Sequence, residues 1–130
     1  MKDERGTASL ELALVAPVLM LLVLGVLQFG LLYHARQVVQ GAALEGARVS
    51  AAEDGSAADG RARAIEILRE GLGSAATEEA ASASVAPDVA RVRVTARFRG
   101  LLPIPGLTSF LISSEATAYR ERFRRAGVGP

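Results

Sequence analysis

Few side chains in this sequence could do chemistry, and the first of them is Glu11. It stands at the mouth of an apolar run, Leu12 to Tyr33, and follows Arg5-Gly6-Thr7-Ala8-Ser9-Leu10. An ionisable group at the edge of a membrane span is a functional candidate by default. A second reading is electrostatic: a carboxylate in the first turn of a helix is favoured by the N-terminal dipole by up to about 1 kcal/mol. Both readings stand on the residues alone. His34, the sole histidine, sits at the opposite end of the run, and the chain has no cysteine. That composition cannot build a transition-metal cluster, a disulfide or a thiol nucleophile. No GxSxG, P-loop or dinucleotide fingerprint is present. The carboxylates have no motif spacing. Catalytic, cofactor-binding and metal-binding residues are therefore not expected, and the chain reads as a non-enzyme.

The element that must position Glu11 is the apolar run. Its 22 residues include no charged side chain and a single strongly polar one, Gln28. As a helix it rises about 33 Å, enough for a hydrocarbon core of roughly 30 Å. Fourteen of its residues are Leu, Val or Phe. These favour insertion by roughly 4–8 kcal/mol before Pro17, Gly25, Gln28 and Gly30 subtract. A cleaved secretory signal is the competing reading. Such a signal would be shorter and closely followed by an A-x-A-like site, whereas His34-Ala35-Arg36-Gln37 follows here. A buried helix of a soluble protein fits less well still, since the run has no polar face. Lys2 and Arg5 before the run, offset by Asp3 and Glu4, nearly balance Arg36 and Arg48 after it, so charge does not set the orientation.

The helical pattern continues past the span. Ala35, Val38, Val39, Ala42, Gly46 and Val49 recur at helical spacing, which predicts one helix of about 40 residues running roughly 60 Å. Ala42 with Gly46 and Ala43 with Ala47 place small residues one turn apart, which lets another backbone approach closely. The alternative is chance spacing in an alanine-rich chain.

The remaining residues, 54–130, must build a small core of their own, which is marginal without help at this size. Glu53-Asp54-Gly55-Ser56 ends the long helix, and Ser56 with Asp59 resembles a helix start. Arg61 to Leu72 reads as a short amphipathic helix with Ile65, Leu68 and Leu72 on one face, ended by Gly71 and Gly73. Ser74 to Ser84, small and polar, reads as a loop, and Val85 opens at most a short strand. Arg91 to Arg99 is the clearest strand: Val92, Val94, Ala96 and Phe98 alternate with Arg91, Arg93, Thr95, Arg97 and Arg99. Pro103 and Pro105 make a rigid turn, and Leu111 to Tyr119 pairs back antiparallel. The inner face of the sheet is expected on the short helix or on the outer half of the long one. Glu115 and Glu121 are expected to face the arginines. The basic tail from Arg120 is expected to fray.

Four strand arginines invite a nucleic-acid or acidic-lipid reading. The alternative is the solvated face of an edge-exposed sheet, where charge blocks edge-to-edge association. With a net charge of +1, a dedicated nucleic-acid partner is not expected.

Gly6, followed after four residues by Glu11, resembles the cleavage motif of prepilin peptidase substrates, in which a glutamate stands fifth after the cut. The stretch from Arg5 to Pro17, Gly25-Val-Leu-Gln-Phe-Gly30, and Ala43-Leu-Glu-Gly-Ala-Arg48 resemble the TadE-like proteins of the tight-adherence (Flp pilus) machinery. The ending Ala116-Thr-Ala-Tyr-Arg-Glu121 fits them as well. The resemblance implies a leader over residues 1–6, cut between Gly6 and Thr7, and a role for Glu11 in assembly. It implies an α+β, pilin-like fold: a transmembrane helix within residues 7–53, spanning about 12–33, that continues into a small extracytoplasmic domain with one short helix and a small antiparallel sheet. It places the chain in the bacterial cytoplasmic membrane as a single-pass pseudopilin-like or minor pilin component. The lipid bilayer, other pilin-like subunits, platform proteins and a prepilin peptidase would be its partners. Leu12 stands where such substrates often carry tyrosine or phenylalanine. The alternative function is an unprocessed, membrane-anchored accessory or binding module of a cell-envelope secretion apparatus.

Overall fold

The computed structural model describes residues 2–101, 104–106 and 108–120. Helix α1, Lys2–Ala51, is 50 residues long, about 75 Å. It starts well before the apolar run because nothing between Lys2 and Glu11 stops it. Asp3 and Glu4 sit in its first turn and Arg48 in its last, each at the favourable end of the dipole. The hydroxyls of Thr7 and Ser9 donate to the carbonyls of Asp3 and Arg5, four residues back. Gly6 alone costs only about 1 kcal/mol in a helix interior.

Helix α2, Ala57–Leu72, begins earlier than its apolar face predicts, because Ser56 caps it. Ser56 Oγ accepts from the Asp59 N–H at 3.1 Å, and Asp59 Oδ2 accepts from the Ser56 N–H at 3.2 Å. Gly73, at φ +52°, forms the C-cap. Gly71 does not end the helix. It lies against Val38 of α1, where an added Cβ would come within 2.5 Å of Val38 Cγ1.

After a short 3-10 turn, Gly73–Ala75, come β1 (Ala76–Val85), β2 (Val89–Arg99) and β3 (Ser109–Tyr119), an antiparallel sheet in the order β1-β2-β3. Two expectations are corrected here. The segment expected as a loop is β1. Its pairing shifts between Thr77 and Ala80, with Glu78 at φ +56°. Ala76 lies opposite Phe98 before the shift, and Ala81, Ala83 and Val85 lie opposite Val94, Val92 and Ala90 after it. The irregularity thus moves the inward positions from even to odd numbers, so no alternation runs along the segment. Secondly, β2 is the central strand and not an edge. Its arginines occupy the middle of the outer face.

The inner face packs on the helices. Val92, Val94, Ala96 and Phe98 of β2 and Ile112 of β3 share a core with Ala35, Val39, Ala42, Ala43 and Ala47 of α1 and with Ala64 and Leu68 of α2. The outer half of α1 lies under β2 and β3, while α2 lies chiefly under β1. Ile65 is at the margin, half-buried. Glu121, expected opposite the arginines, Pro103 of the turn, and the tail beyond Arg120 lie outside the described residues.

Candidate functional site

The junction residues stand on the bare part of α1. Gly6, Thr7 and Glu11 are all exposed, and nothing approaches the position of a Cβ on Gly6 within 4 Å. Thr7 and Glu11 are one turn apart on one helical face, a rise of about 6 Å. A chain beginning at Thr7 would carry its amine one turn from its own Glu11 carboxylate. The peptide between Gly6 and Thr7 is helical. A protease that binds its substrate extended must first unwind this turn, which costs little at a helix end.

From Leu12 to Val23 no residue of α1 is buried. The helix is long and apolar enough to cross a membrane, and no part of its most apolar window is buried by the rest of the chain. That exposure would be untenable in water and is natural in lipid.

The small residues Ala42, Ala43, Gly46 and Ala47 lie far from the junction. From Glu11 to Ala42 the helix rises about 46 Å. All of them are buried, and their neighbours belong to the same chain. A Cβ on Gly46 would come 2.8 Å from the Gly60 carbonyl oxygen and 3.2 Å from both Ala64 Cβ and Val92 Cγ1. A Cβ on Gly60 would overlap Ser50 Oγ. The stripe therefore receives α2, which crosses α1 at backbone distance.

On the outer face of the sheet, Glu115 lies between two arginines: Oε2 is 2.7 Å from Arg93 Nη2, and Oε1 is 3.4 Å from Arg91 Nε. Arg97 Nε meets Glu78 Oε2 at 3.0 Å. The glutamates break up the positive row, and such exposed pairs contribute at most about 1 kcal/mol each. On α2, Glu66 sits 3.1 Å from Arg63 and raises its pKa above the ordinary arginine value through a hydrogen bond and its charge. This firms a charge that is already permanent and supplies no proton donor. Among the described residues, no group of His, Asp or Glu could hold a metal ion.

Residue-type reasoning missed one contact. Gln28 is buried in spite of its place in the apolar run, and its Oε1 accepts from the Leu101 N–H at 2.7 Å. The sequence signal was its isolation as the one strongly polar residue there. Its partner, 73 positions away, had no signal at all.

Residues 6–48 match the family model described as TadE-like protein. The match opens at Gly6 and closes at Arg48, so it takes in the junction, the apolar run and the small-residue stripe. No curated protein and no solved structure matches the chain.

Proposed function

We propose, from the match of residues 6–48 to the TadE-like protein family model, that the chain is a pseudopilin-like or minor pilin component of a bacterial tight-adherence pilus assembly or secretion system. It is held in the cytoplasmic membrane by α1, with the domain of residues 54–130 outside the cytoplasm. Its role is structural, without catalysis or cofactor. The observation that carries the reading is the coincidence of the family match with a helix whose inner half is apolar all round and uncovered, and which bears a glutamate at its entrance. Such a helix can serve in a bilayer and can also pack against copies of itself. Other pilin-like subunits and the assembly platform are then its protein partners.

In this reading a prepilin peptidase cuts after Gly6 and leaves a free amine on Thr7. Glu11 of one subunit pairs with the amine of a neighbour and sets the register between helices. A cation and a carboxylate attract strongly in low-dielectric surroundings, and both lose hydration. Register specification is the best-attested use of such a pair. The chain's own Glu11 is also one turn from Thr7, so the neighbour must offer the drier geometry.

Complementation of a deletion strain tests this reading. Gly6→Leu should leave the leader uncut, because a bulky side chain obstructs the cleavage site. Glu11→Leu should insert and be processed, yet fail to restore surface pilin. Full assembly with Glu11→Leu at normal protein levels would reject the pairing role. An intact native N-terminus by mass spectrometry would favour the unprocessed accessory module, to which Leu12 after the glutamate already points.

A further inference from the structure

The Gln28–Leu101 hydrogen bond places the β2–β3 connection along the helix axis. Leu101 follows Gly100 directly after β2, and the neck of the connection is closed by the Gly100 N–H donating to the Thr108 carbonyl at 2.9 Å. The bond from the Leu101 N–H to Gln28 Oε1, 2.7 Å long, therefore holds the connection at the level of Gln28. Gln28 lies inside the apolar run, five residues before Tyr33, so the backbone of Leu101 sits about 7–8 Å on the span side of that tyrosine. The helical neighbours of Gln28 at that level, Val26, Leu27 and Phe29, are exposed and apolar. So are Leu101 and Ile104 of the connection. In sequence, residues 100–108 contain no charge, and Leu102 and Leu107 add to the aliphatic content.

A protein surface at this depth cannot face water if α1 spans a bilayer. An irregular backbone there must have its N–H groups satisfied from within the protein. Gln28 Oε1 supplies the acceptor for one of them, while its buried Nε2 has no partner among the described residues.

We propose that the β2–β3 connection is a second membrane contact, which inserts Leu101 and Ile104 between headgroups and upper acyl chains of the leaflet nearest the domain. Its occupant is lipid, because the helix surface on either side of the contact is the one already assigned to the bilayer. The depth agrees with that of interfacial elements, which bury about 5–10 Å into the headgroup–acyl boundary. Anchored by both α1 and this tip, the domain can neither rotate freely about the helix axis nor lift off the surface. The proposal rests on α1 spanning the bilayer and not on a pilus role.

The absence of cysteine makes the test direct. Full-length protein carrying a single cysteine is labelled with an environment-sensitive fluorophore and reconstituted into vesicles of phosphatidylethanolamine and phosphatidylglycerol. Quenchers are attached to lipid either near the headgroup or near the chain end. Leu19→Cys reports the span, Ile104→Cys the tip, and Ser113→Cys an exposed position on β3. The span probe should be quenched best by the deep quencher. The tip probe should be quenched by the shallow one, several-fold more than the Ser113 probe. A quenched span probe with a tip probe no different from Ser113 overturns the membrane contact and leaves the spanning reading intact. A tip probe shielded from water but unquenched by lipid assigns the surface to a protein partner and also overturns it. An unquenched span probe removes the premise, and the proposal with it.

Discussion

One helix carries two unlike halves. From Leu12 to Val23 eight of the twelve residues are Leu or Val, and all twelve are uncovered. From Ala35 to Ser50 a narrow buried stripe of Ala35, Val39, Ala42, Ala43, Gly46, Ala47 and Ser50 is flanked by exposed Arg36, Gln37, Gln40 and Arg48. Both halves are helical, so propensity does not distinguish them. Side-chain size does. Bulky residues all round suit a solvent that moulds itself to them, as lipid does. Small residues in a stripe suit a partner backbone that cannot mould itself and needs clearance. The clothed half is the one on which the chain supplies its own partner, and Gln28 marks where the two regimes meet.

Substitutions can break this contrast. The largest effect should come from Gly46→Leu, whose side chain would occupy the space of the Gly60 carbonyl and of Ala64 and Val92. We expect α2 to be pried from α1 at a cost of about 3 kcal/mol or more. Limited proteolysis should then cut the domain while the chain stays in the membrane fraction. Leu22→Ala, on the bare half, should change domain stability by less than about 0.5 kcal/mol. Equal damage from the two changes would erase the distinction.

A middle-sized effect should come from the boundary. Gln28→Leu leaves the Leu101 N–H without its acceptor but also removes the buried, unpartnered Nε2, so the net cost should be at the low end of about 1–3 kcal/mol. Hydrogen exchange at the Leu101 amide should quicken, while amides of β2 within the sheet keep their protection. Uniform loss of protection across the sheet would mean that the bond supports the whole domain, not its tip alone.

The smallest effect belongs to the outer face. Glu115→Gln removes the carboxylate shared by Arg91 and Arg93 and should cost about 0–1 kcal/mol, less at high salt. Thermal unfolding at two ionic strengths checks it. A large, salt-insensitive loss would mean that this cluster holds the sheet together as the inner core does.

What could be read from the sequence follows the same division. The apolar run and the Arg/Val alternation of β2 are strong because each is periodic over its whole length and opposes extreme side chains. The inward set Val92, Val94, Ala96 and Phe98, and the antiparallel partner β3, appear where that alternation puts them. β1 was illegible for two physical reasons. Its alanines and serines have little strand preference of their own, and the shift at Glu78 and Glu79 breaks the parity of its inward positions. The placement of β2 at the centre of the sheet follows from that missing strand. At the junction, Glu11 stood out by its type at the edge of the apolar run and Gly6 only through the family resemblance, whereas the contact of Gln28 depends on how a turn folds back over a helix, which no local pattern records.

The unbroken course of α1 has a mechanical consequence. Membrane helices tilt by about 20° on average and adjust their tilt to bilayer thickness. Between Tyr33 and Ala51 the helix rises about 27 Å, so a tilt of 20° carries its far end sideways by about 9 Å. With no hinge between span and domain, that swing passes to the sheet, limited by the membrane contact proposed for the β2–β3 connection. The anchor is then a lever as well as a tether, and bilayer thickness becomes a variable that aims the domain's outer face.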